Sequence, residues 1–277
     1  MITRFPKFDF SQVRAHWAPN AEFAQKYNAA SLVPAHVEPY LLKVMKLAQG
    51  RLEPDTRLHK EADIFCKQEM QHMKQHIAFN RRLREQGYEG LKPIEDAYAA
   101  DLERYLNTKS LRFNLAYMEG FESISAAGCQ AWFEDYGPFR EGSDPEIDRL
   151  WSWHLAEEFE HRSVAFDVFH KASGLGHVTG YFYRLYGYFF ALVHIGRFSR
   201  KASAYLLGRD REGMSEKELE ASIAREKALG KVQVRGVLKM MRIIVSPFYD
   251  PAKRPEPRGQ HAFLAAMTPV RADRAPA

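Results

Sequence analysis

Two nine-residue segments constrain this chain more than anything else in it: Gln68-Glu69-Met70-Gln71-His72-Met73-Lys74-Gln75-His76 and Trp153-His154-Leu155-Ala156-Glu157-Glu158-Phe159-Glu160-His161. At about 100° per residue, Glu69, His72 and His76 fall within roughly 60° of one another on an α-helix, and so do His154, Glu158 and His161. Each helix would then present one carboxylate and two imidazoles as a single stripe. Phe65 and Met73 in the first region, and Leu155 and Phe159 in the second, add apolar residues at helical spacing. A polar stripe of this kind is costly to bury dry and unpaired. An isolated Glu-x-x-His pair is usually part of a solvated helix face, but two such stripes are most simply reconciled with burial by a metal site.

The rest of the composition narrows the class. With 277 residues, 45% of them hydrophobic, the chain is long enough for a sizeable core, and disorder throughout is excluded. The formal charge is +5, and residues 251–277 hold five Lys or Arg against two acids. The remainder is nearly neutral, so nucleic acid is not expected as a partner. Cys66 and Cys129 form no CxxC pattern and read as thiols in a reducing compartment. No apolar run follows the charges near Met1, so no signal peptide is expected and the reading is cytoplasmic.

Residues 1–30 read as an irregular arm with a short helix near Ala21 to Tyr27. A helix then starts between Pro34 and Pro39 and stops at Gly50, placing Glu38 near its beginning. A second spans about Asp55 to Glu85 and carries the 69–76 stripe. An amphipathic segment, Ile94 to Leu106, leads to a third long helix from Ser110 to Tyr136 with Glu119 and Glu122. Asp144-Pro145-Glu146 is a helix start with proline at the first position, and this fourth helix is expected to run to Ser173-Gly174. Residues 31–175 thus form the expected bundle. Residues 176–250 add C-terminal helices, one opening on the capping box Ser215 to Glu218. Within them, 178–196 is aromatic-rich with Arg184 as its one full charge. It is read as a helix packed on the bundle, with peripheral contact to a membrane surface as the alternative. Residues 251–277 are expected to be a flexible tail. Alternating strand patterns are nearly absent, so the fold class is all-α.

Glu38, Glu69 with His72, Glu122, and Glu158 with His161 follow one another in the order Glu, ExxH, Glu, ExxH. That order is similar to the donor set of ferritin-like dinuclear carboxylate bundles. The two segments resemble the bacterial family labelled "predicted metal-dependent hydrolase", grouped with ferritin-like proteins, over roughly residues 30 to 250. The spacing His154-x-x-x-Glu158-x-x-His161 is also similar to the fourth helix of di-iron arylamine N-oxygenases, in which the first histidine is an additional iron ligand. His76 has no counterpart in that pattern.

The expected metal ligands are therefore Glu38, Glu69, His72, His76, Glu122, His154, Glu158 and His161, with Glu119 and Glu157 as alternatives. Glu122 is preferred to Glu119 because Ser125 and Ala126 follow it and leave space. Glu158 is preferred to Glu157 because it lies between His154 and His161, and Glu160 is expected to face solvent. Glu38 also reads as a plain helix-start carboxylate, and His76 and His154 as groups that orient a carboxylate rather than bind metal. Two metal ions are implied, iron first, manganese or zinc otherwise. The functional expectation is a di-iron oxidase or oxygenase using O2 and an external electron donor on a small, apolar substrate, with a homodimer allowed for. The alternatives are a metal-dependent hydrolase and a non-enzymatic metal-binding bundle.

Overall fold

Side chains at the helix starts fix where the chain begins to coil. The computed structural model describes residues 1–267, among which the order is α1 (Ala21–Ser31), α2 (Pro34–Gln49), α3 (Arg57–Glu85), α4 (Leu91–Thr108), α5 (Leu111–Gln130), α6 (Gly137–Arg140), α7 (Pro145–Glu160), α8 (Val164–Ala172), α9 (His177–Arg211), α10 (Glu216–Ile244) and α11 (Gln260–Ala266). Asn20, Thr56 and Ser110 each accept the N–H three residues on, opening α1, α3 and α5. Asp144 and Pro145 open α7, and Ser215 and Glu218 form a reciprocal capping box on α10. No strand occurs among the described residues, and the protein is all-α.

Helices α2, α3, α5 and α7 surround one interior: α2 lies against α3 and α5, and α7 lies against α5 and α3. α2 starts at Pro34, so Glu38 sits one turn inside the helix rather than at its start, with Pro39 accommodated within it. Residues 1–20 form no helix, yet Arg4, Phe10, Val13 and Trp17 are buried. Phe8 packs on Trp153 of α7 and Phe10 on Phe79 of α3, at ring separations of 5.7 and 5.5 Å, so this segment covers the seam between the two helices that carry the Glu/His stripes.

Three further expectations change. The fourth helix does not run to Ser173: it stops at Glu160 and resumes at Val164. Arg162 explains the break, because its Nη1 donates to the Phe159 carbonyl at 2.6 Å, the group that a continuing helix would offer to the Ser163 N–H. The C-terminal stretch is not loose as far as Met267: α11 buries Leu264, and the Gln260 amide donates to the Ala156 carbonyl. Residues 268–277 of the expected tail lie outside the described residues. Glu160 does not face solvent, because Arg4 and Gln68 both donate to it.

Helix α9 packs along α5. Its Arg184 is buried and donates to Glu119 and to the Ile244 carbonyl, while Val178, Phe182, Tyr186, Phe189 and Val193 face outward. No described helix is long and apolar enough to cross a membrane. The close approach of α9 to α5 needs glycine on both sides. A Cβ on Gly120 would lie 2.7 Å from the Tyr188 Cα, and one on Gly187 would collide with the Ala116 carbonyl. Gly187→Ala is therefore expected to lower unfolding free energy by about 3 kcal/mol in denaturant titrations. Gly230→Ala on α10, where a Cβ meets nothing within 4 Å, should instead be neutral or stabilising.

Candidate metal centre

Each of the four central helices brings acid to the same point. Glu38 comes from α2, Glu69 and His72 from α3, Glu122 from α5, and His154 and Glu158 from α7, with His161 the residue that ends α7. All seven side chains are at most 3% exposed. They form two groups whose donor atoms lie within 4.8 Å of one another: Glu38, His72, His154 and Glu158, and Glu69, Glu122, Glu158 and His161. Glu158 belongs to both. Its Oε1 faces His154 Nε2 at 3.0 Å and His72 Nδ1 at 3.4 Å, while its Oε2 faces His161 Nε2 at 3.4 Å. Glu69 Oε1 likewise lies between His72 Nδ1, at 3.7 Å, and His161 Nε2, at 3.2 Å.

The far side of each imidazole is held by the protein. His72 Nε2 meets Glu157 Oε2 at 3.1 Å, and Glu157 is itself paired with Arg4 at 2.8 Å. His161 Nδ1 meets Gln68 Oε1 at 3.1 Å, and the Gln68 amide donates to the Ile2 carbonyl and to Glu160. His154 Nδ1 meets His76 Nε2 at 2.6 Å. Donating its outer N–H fixes the ring of a metal-binding histidine and leaves the inner nitrogen lone pair free. His72 turns Nδ1 inward, whereas His154 and His161 turn Nε2 inward.

The inner atoms are what test the fit of a metal. Both carboxylate oxygens of Glu38, Glu69 and Glu122, Glu158 Oε2, His72 Nδ1 and His161 Nε2 are buried without a hydrogen-bond partner. Native interiors do not leave such a cluster of acceptors unsatisfied. The electrostatics agree. Burial, reinforced by the neighbouring Glu69 and Glu158 carboxylates, pushes Glu38 and Glu122 well above the ordinary carboxylate range. Burial and nearby imidazoles push His154 down to about 4 and His76 well below its ordinary value. Divalent cations among these donors would neutralise the four carboxylates and engage the bare lone pairs, so the residues present fit a metal.

The remaining sequence candidates lie outside the two groups. His76 sits behind His154. Glu119 turns away, with its Oε1 taking Arg184 and Ser123. Glu157 occupies the outer side of His72. Sequence reasoning missed Arg4, Ser31 and Asn80 altogether. Asn80 had a signal, because it continues the Glu69, His72, His76 stripe by one more turn of α3.

Fold and site together define an all-α protein with a buried, carboxylate-rich pair of groups able to hold metal. Residues 2–254 match the family described as "Predicted metal-dependent hydrolase", and the chain belongs to that family. No curated protein and no solved structure matches it.

Proposed function

We propose that this chain is an enzyme with a dinuclear metal centre in a ferritin-like bundle. One cation would be held by Glu38, His72, His154 and Glu158, the other by Glu69, Glu122, Glu158 and His161. The observation that carries this is the convergence of partnerless buried donors from four helices on two groups that share Glu158. Hydrolysis of a small molecule is the reading that the family description favours. Two ions in such a site would supply a water of lowered pKa and positive charge opposite the developing anion. Glu158, the residue common to both groups, would set the spacing between them. Glu38 and Glu122, whose carboxyl groups favour the protonated form when buried here, would take the proton that the water loses and return it to the leaving group. The water oxygen would bond to the electrophilic atom as the bond to the leaving group breaks.

A second reading, oxidation by a di-iron centre, is favoured by one specific observation. Four glutamates and three histidines on four helices, in the order Glu, ExxH, Glu, ExxH, are a donor set suited to iron or manganese as well as zinc. That chemistry would consume O2 and electrons from an external donor.

Metal content measured after growth with iron, manganese and zinc all available, followed by assays under air and under nitrogen, separates the two. Turnover of ester, amide or phosphoester probes that is equal in both atmospheres and lost in Glu158→Ala supports hydrolysis. Reductant-dependent O2 uptake by a two-iron protein, with no hydrolysis, puts oxidation in its place. Protein without metal even after reconstitution overturns both.

A further inference from the structure

Behind His154 a line of polar side chains runs from α7 through α3 to α1, and every member is buried. His154 Nδ1 lies 2.6 Å from His76 Nε2, and His76 Nδ1 lies 2.8 Å from Ser31 Oγ. Ser31 Oγ lies 2.7 Å from Asn80 Oδ1, and Asn80 Nδ2 donates to the Ser31 carbonyl at 3.0 Å. His76, Asn80 and Ser31 are at most 1% exposed.

The direction of this line is fixed at its far end. Asn80 must present its NH2 to the Ser31 carbonyl, because the flipped amide would set two carbonyl oxygens against each other. Asn80 Oδ1 therefore faces Ser31 Oγ, and the serine has to donate its only proton there. Ser31 Oγ is then left as an acceptor, so the proton between Ser31 and His76 sits on His76 Nδ1. A neutral His76 carries no second proton, so its Nε2 accepts from His154 Nδ1–H. His154 Nε2 is consequently a bare lone pair, and it points at Glu158 Oε1 3.0 Å away. Two lone pairs opposed at that distance repel unless a cation engages both.

We propose that His76 is a positioning residue: with Ser31 and Asn80 it holds His154 in the Nδ1–H form, keeping Nε2 ready for the first cation. This rests on the metal reading of the site for its consequence, though not for its geometry. Without His76 the N–H of His154 would move to Nε2, where Glu158 is the ready acceptor, and the ring would compete with the cation for that carboxylate. Affinity at the group of Glu38, His72, His154 and Glu158 should fall roughly 10- to 100-fold, while the other group is spared.

The test uses the full chain in metal-free and metal-loaded form. In the metal-free protein with 15N-labelled histidine, correlation spectra should show His154 as the Nδ1–H tautomer. In His76→Leu and Ser31→Ala it should shift toward Nε2–H. In loaded protein, titration with the metal identified in the wild type should give two ions per chain for wild type, one tight ion for His76→Leu, and two again for His76→Gln, whose Oε1 can accept from His154. Thermal melts of metal-free variants check folding, and Ser31→Ala probes the same tautomer with a smaller perturbation should His76→Leu fail to fold. An Nε2–H His154 in the metal-free wild type, or two equally tight ions in His76→Leu, overturns the proposal. A wild type that shows the Nδ1–H form but takes up no metal would refute the metal reading and leave the positioning role standing.

Discussion

Glu158→Ala is expected to abolish loading of both ions, whereas Glu38→Ala and Glu122→Ala should each lose one. The asymmetry follows from Glu158 alone belonging to both donor groups, one oxygen facing each. Removing it also leaves His154, His72 and His161 without the carboxylate that lies 3.0 to 3.4 Å from each of them. Elemental analysis of purified variants should read two metals per chain in wild type, about one in the single-group variants and none in Glu158→Ala. Two ions retained in Glu158→Ala would mean that the shared carboxylate is not a ligand of either.

Stripping the metal is expected to produce the largest change in stability. A ligand present at 1,000 times its dissociation constant stabilises by about 4 kcal/mol per site, so two sites should move the melting temperature of a chain this size by roughly 15–30 °C. The sign reverses for a variant that relieves the crowded acids. Burial and Glu158 oppose a charge on Glu122 when no cation is near. Glu122→Gln should therefore melt at or above wild type in excess chelator, and below it when both are loaded. Differential scanning calorimetry with and without chelator reads both comparisons. A Glu122→Gln protein that is less stable than wild type in both conditions would show that the residue packs rather than binds.

Most of the donor geometry was written in helical periodicity. Glu69 with His72, and His154 with Glu158 and His161, share faces because residues three and four apart must do so, and the run of Asp144 and Pro145 fixed where α7 starts. Periodicity could not show that α7 ends at Glu160, where Arg162 turns back on the Phe159 carbonyl and its other nitrogens reach the carbonyls of Pro251 and Ala252, contacts that only the folded chain makes. Nor could it separate His76 from the other histidines. His76 lies on the same stripe as Glu69 and His72, and only the arrival of His154 from another helix places it behind a neighbouring ring. Glu119 and Glu122 were separable in outcome by Arg184, which reaches the former from α9. Arg4 and Ser31 gave no signal, because their roles depend on partners 153 and 49 positions away.

The helix-free segment that carries Arg4 sets the order in which this centre can be completed. Arg4 closes on Glu157, 153 residues later, and Gln68 reaches the Ile2 carbonyl across the same seam. During synthesis these early residues must wait, unpartnered, until α7 has left the ribosome. The covering segment therefore docks only after the residues of α2, α3, α5 and α7 that it covers have all been made. Once docked, a segment without regular structure is held by few backbone hydrogen bonds and opens more easily than the helices beneath it. Amide hydrogen exchange is therefore expected to be faster across residues 1–10 than across α3 and α7.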